Sequence, residues 1–214
     1  MKRFITPPLS MEIVPLSLHD ANVTLLPLEK AHLPALRVAA ADGELWRLFF
    51  TTVPTPENTE TWFDIALEAQ SQGKALPFTV VRKSDQKIIG STRFCNIDKN
   101  NRRLEIGYTW YAKSAQRTNI NTECKRALLK HAFETLQCIA VEFRTDWFNR
   151  KSQAAIERLG AKRDGLLRNH TILPDGRIRD TVVYSILQSE WAGVEKNLNF
   201  LLEKHGDTAT TVKL

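Results

Sequence analysis

The sequence predicts an α+β domain built on a mixed, mostly antiparallel β-sheet. Its β-like runs and helical segments follow one another in the order β-α-α-β-β-β-α-β-α-β-β. Three consecutive β-like runs are separated only by short polar turns, which is typical of an antiparallel meander. A strand-helix-strand unit follows, and such a unit places its two strands side by side and parallel, with a right-handed connection.

The first half of the chain supplies a strand, two helices and the meander. Residues 23–29 read as a strand, and residues 29–49 as a helix followed by a break. A second helix within 55–74 has apolar residues at helical spacing and is expected to stop at Gly73. The meander strands are 76–83, 87–98 and 102–112. In the third, Leu104, Ile106, Tyr108 and Trp110 alternate with polar or small residues, so these four are predicted to face the core together.

The second half returns to helical periodicity. An apolar stripe follows residue 120, and strand 139–147 comes next, so strands 102–112 and 139–147 form the predicted parallel pair. The residues leave open whether these strands stay paired or diverge to form a cleft. A helix over 149–160 precedes a hairpin with a Pro-Asp-Gly turn, and a last helix is expected to end in a loose segment from Gly206.

The bulk composition bounds the function classes. The chain has 214 residues, 43% hydrophobic and 25% charged, which suits one globular domain. No apolar run approaches the roughly 20 residues of a membrane helix, and the N-terminus lacks the apolar part of a secretory signal. Three widely spaced cysteines and five histidines without ligand spacing indicate a reduced, cytoplasmic protein without a zinc site. The net charge of +6 is compatible with anionic partners or with a solvated basic surface.

The segment 114–133 has two interpretations. The free amides at the start of its helix, with Arg117 and Lys113 nearby, favour an anion. Asn119 can replace a glycine in left-handed backbone, whereas Glu123 in the first turn opposes an anion. The alternative is an ordinary Asn-capped helix.

Two other places carry candidate chemistry. Glu105 on strand 102–112 is either a general base with a raised pKa in a cleft or a solvated strand carboxylate. Asn149 and Ser152 either cap the helix that they begin or contact an extended ligand between the parallel strands.

Together these features resemble the GCN5-related N-acetyltransferase (GNAT) superfamily. "QRTNIN" (116–121) is similar to its pyrophosphate motif Q/R-x-x-G-x-G/A, with asparagine at both glycine positions. "LEIGYTWY", "NRKSQAAIERLGAKRDGLLRNH" and "DGRIRDTVVYSILQSEW" resemble the ribosomal-protein N-acetyltransferase-like (RimJ/RimL-type) branch. The resemblance covers about residues 22–192 and implies a splayed parallel pair with helices on both faces of the sheet.

The resemblance also implies a place for acetyl-CoA in the V between strands 102–112 and 139–147. Its pantetheine is expected on the backbone of Gly107, Tyr108, Thr109 and Trp110. Its pyrophosphate is expected on the loop formed by Gln116, Arg117, Thr118, Asn119, Ile120, Asn121 and Thr122. Asn149 and Ser152 complete the expected acetyl-CoA contacts.

The expected catalytic residues are Glu105 and Ser152. Glu105 matches the position of a water-linked base in this family, and an amide near Trp110 is expected to polarise the acetyl carbonyl. Many members have a tyrosine that acts as the general acid where this chain has Ile156. Ser152 is therefore the candidate to donate a hydrogen bond to the leaving thiolate instead. No metal is expected.

The sequence-based interpretation is an N-acetyltransferase domain at 21–192, between an extension at 1–20 and a helix and tail at 193–214. The acceptor is a primary amine, with a peptide or protein N-terminus favoured over a polyamine or antibiotic. A polyamine acceptor stays an alternative because the first two predicted helical segments offer six carboxylates: Asp42, Glu44, Glu57, Glu60, Asp64 and Glu68. The alternative function is a non-catalytic acyl-CoA-binding or sensing module. Nucleic acid is disfavoured as a partner, and a homodimer through the segment around Trp191 stays open.

Overall fold

The computed structural model describes residues 11–210, with side chains over 11–204. The strands are β1 (Leu18–His19), β2 (Val23–Pro27), β3 (Leu76–Arg82), β4 (Lys87–Asp98), β5 (Arg103–Tyr111), β6 (Ala140–Asp146), β7 (Lys162–Ile172) and β8 (Ile178–Leu187). The helices are α1 (Leu33–Ala41), α2 (Thr59–Ser71), α3 (Ile120–Lys130), α4 (Arg150–Arg158) and α5 (Trp191–Thr210).

The strands form one sheet in the order β1-β2-β3-β4-β5-β6-β8-β7. β5 and β6 are parallel, and every other neighbouring pair is antiparallel. This confirms the mixed, mostly antiparallel sheet, its meander (β3-β4-β5) and the crossover through α3. A π-helical turn, His131–Thr135, extends α3, and short 3₁₀ turns lie elsewhere.

Two hydrophobic clusters place helices on both faces of the sheet. One contains Leu128 of α3 and Leu198 of α5 together with Leu104 and Ile106 of β5. The other contains Phe63 of α2, together with Leu36 of α1, and packs on Trp110 of β5. Strand β5 therefore contributes side chains to both cores, which the simple alternation did not predict.

A β-bulge explains why the predicted alternation fails. Arg93 of β4 pairs with Gly107 and Ser91 pairs with Trp110, so Tyr108 and Thr109 together oppose Thr92. Tyr108 has a φ of +51° and is 52% exposed, whereas the alternation predicted that it faces the core with Leu104. The extra residue reverses the side-chain phase and sharpens the local twist, which turns Trp110 to the α1–α2 face.

The parallel strands diverge after a short paired region. β5 and β6 share three residue pairs, the last being Glu105 with Glu142. β6 continues along β8 over its whole length, from Ala140 to Asp146. Beyond Glu105, no strand of the described residues pairs with the β6-facing edge of β5. The cleft left open by the sequence is therefore present, and its apex is at Glu105.

The ends of the chain differ from the expected segments. Within the expected extension 1–20, Met11 is buried and β1 pairs with β2, while residues 1–10 lie outside the described part. The last helix passes Gly206 and reaches Thr210, because no proline interrupts its ladder of backbone bonds. Only residues 211–214 of the expected loose end lie beyond the description.

One ion pair and two hydrogen bonds attach the β1–β2 segment to α3. Arg126 forms an ion pair with Asp20. The buried carboxylate of Glu123 accepts hydrogen bonds from the Asn22 backbone N–H, at 2.7 Å, and from Asn22 Nδ2, at 2.6 Å. Both carboxylate oxygens of Glu123 are therefore occupied by hydrogen bonds to the β1–β2 turn.

Replacing Glu123 with Ala is expected to lower the free energy of unfolding by about 1–3 kcal/mol, because both Asn22 donors lose their acceptor in a partly buried place. Urea unfolding followed by circular dichroism measures this change. Glu203→Ala, which removes an exposed carboxylate from α5, is the matched control. Equal effects of the two substitutions would contradict the assigned role.

Candidate active site

The loop before α3 has a different backbone from the one predicted. Asn119 has a φ of −68° and is an ordinary right-handed residue, and Asn121 lies inside α3. The left-handed residue is Arg117, with a φ of +60°. The interpretation of the asparagines as conformational substitutes for glycine is therefore wrong: neither position needs a positive φ.

The start of α3 presents free amides. Its first intrahelical bond runs from Glu123 N to Asn119 O, at 2.9 Å, so the amides of Ile120, Asn121 and Thr122 precede the ladder. The Asn119 side chain makes no capping hydrogen bond to this helix within the described chain. Thr118 Oγ1 lies 3.4 Å from Ile120 N, at the limit of a hydrogen bond. The end of the helix thus keeps donors and a positive dipole for an anion.

Side chains fix this loop and add positive charge. Gln116 Nε2 donates to Tyr111 O at 3.0 Å, and Thr118 Oγ1 donates to Ala115 O at 2.7 Å. Arg117 is exposed beside the helix start. Arg158 at the end of α4 donates to Thr122 Oγ1 at 3.0 Å. The sequence did not reveal Arg158, because its proximity depends on how α4 lies against α3.

Glu105 occupies the apex of the cleft and is 7% exposed. Its Oε2 accepts a 2.7 Å hydrogen bond from Asn96 Nδ2, and Arg144 Nε lies 3.4 Å from the same oxygen. Burial raises the pKa of the carboxyl above its usual value, although the Asn96 hydrogen bond and Arg144 act against this. Glu105 is thus a buried carboxylate with a pKa moved toward neutrality, and not a solvated strand residue.

Gly107 makes room for the free side of that carboxylate. A Cβ at position 107 would lie 2.9 Å from Glu105 Oε1 and 3.1 Å from Cys95 Sγ. The absence of a side chain at position 107 therefore leaves room for the Glu105 carboxylate beside the open edge of β5.

A buried lysine supports the bulge from within. Lys125 of α3 is 5% exposed, and its Nζ donates to Thr109 Oγ1 at 2.6 Å. Thr109 Oγ1 also lies 2.7 Å from Thr92 Oγ1, so the bulged segment is tied to β4. Burial lowers the pKa of the ammonium to about 8. Sequence reasoning missed Lys125, whose polar position in the α3 pattern gave no sign of burial.

Asn149 and Ser152 lie where β6 runs into α4. Asn149 Oδ1 accepts a 3.1 Å hydrogen bond from Ser152 N. Asn149 therefore caps α4, which is the first of the two interpretations of this residue given above. Both side chains are half-buried. Ile156, one turn further on, is packed in the core, and its side chain carries no proton donor.

Three of the six carboxylates considered for a polyamine already have a partner. Glu44 pairs with Arg47 and Glu60 pairs with Arg37. Asp42 Oδ2 accepts from Ser114 N. The other three are exposed, with Asp64 and Glu68 on α2 and Glu57 in the turn before it.

Neither a metal-binding cluster nor a membrane-spanning helix is present in the described residues. Over the described residues, no group of three or more His, Cys, Asp or Glu side chains is placed to hold a metal ion. No helix of that part of the chain is long and apolar enough to cross a membrane.

All three cysteines are free and buried. Burial raises the pKa of each thiol, to about 12 for Cys124 and Cys138.

Residues 22–162 match the family described as the acetyltransferase (GNAT) domain. The chain belongs to the GNAT acetyltransferase family. The predicted resemblance is thereby confirmed.

Known proteins similar to this GNAT chain include YdaF of Bacillus subtilis (strain 168), named as a candidate ribosomal N-acetyltransferase. It is 37% identical over 109 residues, which cover 51% of this chain and 58% of YdaF, less than two thirds of that relative. A candidate acetyltransferase from T. thermophilus is 34% identical with a TM-score of 0.79, covering 90% of this chain and 100% of that one. The structure of Mycobacterium smegmatis RimJ in complex with CoA-disulfide shares the fold, at 21% identity and a TM-score of 0.72, over 87% of this chain and 95% of that one.

Within the GNAT domain, the predicted residues lie in three places. Glu105 and residues 107–110 line the apex and the open edge of β5, and residues 116–122 form the turn into α3. Asn149 and Ser152 follow the end of β6 on the opposite side of the cleft.

The pKa of Lys125 predicts a pH dependence of stability. The unfolded chain holds the Lys125 proton up to about pH 10.5, whereas the folded chain releases it near pH 8. The unfolding free energy of the native protein should therefore rise between these pH values relative to Lys125→Met, by at most about 3 kcal/mol.

Urea unfolding at several pH values from 7 to 10.5 measures this difference. Lys130→Met, which removes an exposed lysine from the same helix, is the control and should give a difference that varies little with pH. Parallel curves for the native protein and Lys125→Met would contradict a buried ammonium.

Proposed function

We propose that this GNAT domain is an acetyl-CoA-dependent N-acetyltransferase acting on a primary amine by direct transfer within a ternary complex. The observation that carries the proposal is the divergence of β5 from β6 immediately after Glu105. This divergence places an open strand edge beside a buried carboxylate, so an extended acyl carrier and a proton acceptor meet at one point.

The cleft suits the three chemical parts of coenzyme A. The unpaired edge of β5 at Gly107–Trp110 can bond an amide-containing pantetheine arm as an added strand. The amides of Ile120, Asn121 and Thr122, which precede the hydrogen-bond ladder of α3, suit a pyrophosphate together with Arg117 and Arg158. The RimJ structure with CoA-disulfide supports the same ligand class on this fold. When bound, acetyl-CoA supplies the activated acetyl thioester.

The residues of the cleft have separate chemical roles in the proposal. Glu105 Oε1 accepts a proton from the amine, directly or through water, so that the amine attacks in its neutral form. The backbone amide near Trp110 polarises the acetyl carbonyl. The Ser152 hydroxyl donates a hydrogen bond to the departing thiolate, since Ile156 provides no donor.

The acceptor that we propose is a peptide or protein N-terminus. The names of YdaF and RimJ support a ribosomal-type N-acetyltransferase. Three of the six carboxylates considered for a polyamine, Asp42, Glu44 and Glu60, already have partners, which leaves a polyamine less support. We place the enzyme in the cytoplasm, in keeping with its three free cysteines.

Reversing the charge of Arg117 tests the pyrophosphate site. Arg117→Glu is expected to weaken acetyl-CoA binding about 10- to 100-fold, because a charge-assisted contact is replaced by repulsion. Binding of a pantetheine fragment should be unchanged, since that fragment lacks the pyrophosphate. Isothermal titration measures both affinities, and Lys74→Glu is the exposed charge-reversal control. Equal losses for the two ligands would contradict this site.

Replacing Glu105 with Gln tests the base. Burial raises the pKa of Glu105, so the activity that depends on its ionised form is lost as pH falls through this raised pKa. Glu105→Gln should therefore lower kcat/KM about 100-fold at neutral pH and much less at high pH, where the amine is already neutral.

The control is Glu203→Gln, which alters an exposed carboxylate of α5. Thiol release from acetyl-CoA, measured against N-terminal peptides from pH 6 to 10, reports the profile. An unchanged profile in Glu105→Gln would remove it as the base. Acetyl-CoA binding without thiol release for any amine would instead favour a sensing module.

A further inference from the structure

Arg93 is a buried cation without a partner of opposite charge among the described residues. The residue is 3% exposed, and its Nε is buried with no hydrogen-bond partner among the described residues. No carboxylate of the described chain lies within ion-pair distance of its guanidinium. An isolated buried charge is costly, and proteins normally pair such groups or bring them to a ligand.

Two aromatic rings hold the Arg93 guanidinium in place. Its central carbon lies 4.2 Å from the centroid of the Tyr108 ring and 5.1 Å from that of Trp62. Such contacts stabilise the cation, but a ring face does not replace an acceptor in the plane of the N–H groups. A guanidinium fixed in this way is prepared to bind a carboxylate or a phosphate through its planar edge.

The sheet register places Arg93 next to the proposed base. Arg93 pairs with Gly107 and Cys95 pairs with Glu105, so the two rows are about 7 Å apart along the strand and share a face. An anion held by Arg93 would therefore lie a few bonds from an amine that contacts Glu105.

The neighbouring arginines strengthen the positive character of this face. Arg144, on the same face of β6, contacts Glu105 and Glu142. At the end of that strand, Asp146 is contacted by Arg177 at 2.7 Å and by Arg179 at 3.9 Å. Each carboxylate of this group has an arginine partner, whereas Arg93 has no carboxylate partner in the part of the chain that the structure describes.

We propose that Arg93 binds an anionic group of the acceptor, and that the preferred acceptor is a peptide N-terminus with an acidic side chain at its second or third residue. The proposal rests on the proposed function, because it assigns the acceptor amine to the Glu105 side of the cleft. It disfavours polyamines, whose second charge would be repelled at Arg93. A phosphate on a small amine offers the same chemistry, and the experiment separates the two sources.

The experiment compares acceptors that differ only in charge. Thiol release is measured with peptides beginning Ala-Asp, Ala-Asn and Ala-Lys, and with phosphoethanolamine against ethanolamine. We expect kcat/KM for the Ala-Asp peptide to exceed that for Ala-Asn about 10- to 100-fold, and Ala-Lys to be the poorest peptide. A preference confined to phosphoethanolamine would keep the anion site and assign it to small phosphorylated amines.

Two substitutions then locate the preference. Arg93→Met should bring the Ala-Asp to Ala-Asn ratio close to one while leaving acetyl-CoA affinity unchanged, and Arg93→Lys should retain part of the ratio. Arg168→Met, on the exposed edge strand β7, is the matched control and should keep the native ratio. No preference for anionic acceptors in the native protein, or a native ratio in Arg93→Met, would overturn the proposal.

A binding measurement separates this proposal from the proposed function. The Ala-Asp and Ala-Asn peptides are titrated into the native protein without acetyl-CoA, and the Trp fluorescence is followed. Tighter binding of Ala-Asp, lost in Arg93→Met, would support the anion site even if no thiol is released from acetyl-CoA. Thiol release with equal rates for charged and neutral acceptors would retain the transferase and reject the role of Arg93.

Discussion

At Thr92 of β4, two residues of β5 lie opposite one, and the geometry of the cleft depends on this local mismatch. The bulge bends β5 and sharpens its twist, and β6 meanwhile keeps its full pairing with β8, so the two parallel strands separate. The same bulge turns Trp110 toward the α1–α2 core and leaves Tyr108 exposed in left-handed backbone. One extra residue thus shapes the open edge of β5 and orients the end of that strand, which leads to α3. It also determines where the ring of Tyr108 lies over Arg93.

Two buried cations lie close to this bulge. Lys125 reaches it from α3 and binds the hydroxyl group of Thr109, whereas Arg93 on β4 packs its guanidinium against the ring of Tyr108. Neither has a carboxylate partner among the described residues, in contrast to Arg126 and Arg177, which pair with buried aspartates. Unpaired buried charge opposes folding, so its concentration next to the proposed reaction centre fits a site shaped for ligand binding at some expense of stability.

The sequence was sufficient for the element order and for the parallel pair, because helical and strand periods are local properties of the chain. Glu105 and the loop 116–122 were candidates from the sequence because their order along the chain resembles a known family, and their roles stay predictions. Tyr108 was misplaced because a bulge depends on the pairing of two strands and leaves no period of its own. Arg117, and not Asn119, has the left-handed backbone, because the packing of the loop determines which residue takes that conformation. Lys125, Arg93 and Arg158 were missed, since their roles depend on burial and on elements that meet only in the fold.

The buried thiols have a practical and a chemical consequence. A reaction that releases coenzyme A generates a free, reactive sulfhydryl next to the protein. Cys95, Cys124 and Cys138 are buried, and raised pKa values keep them protonated, so little thiolate is available for exchange. The folded protein should therefore resist mixed disulfides, under mild oxidation, with the coenzyme A that the proposed reaction releases. A chromogenic thiol reagent added to the native protein would report released coenzyme A over a low background from the polypeptide.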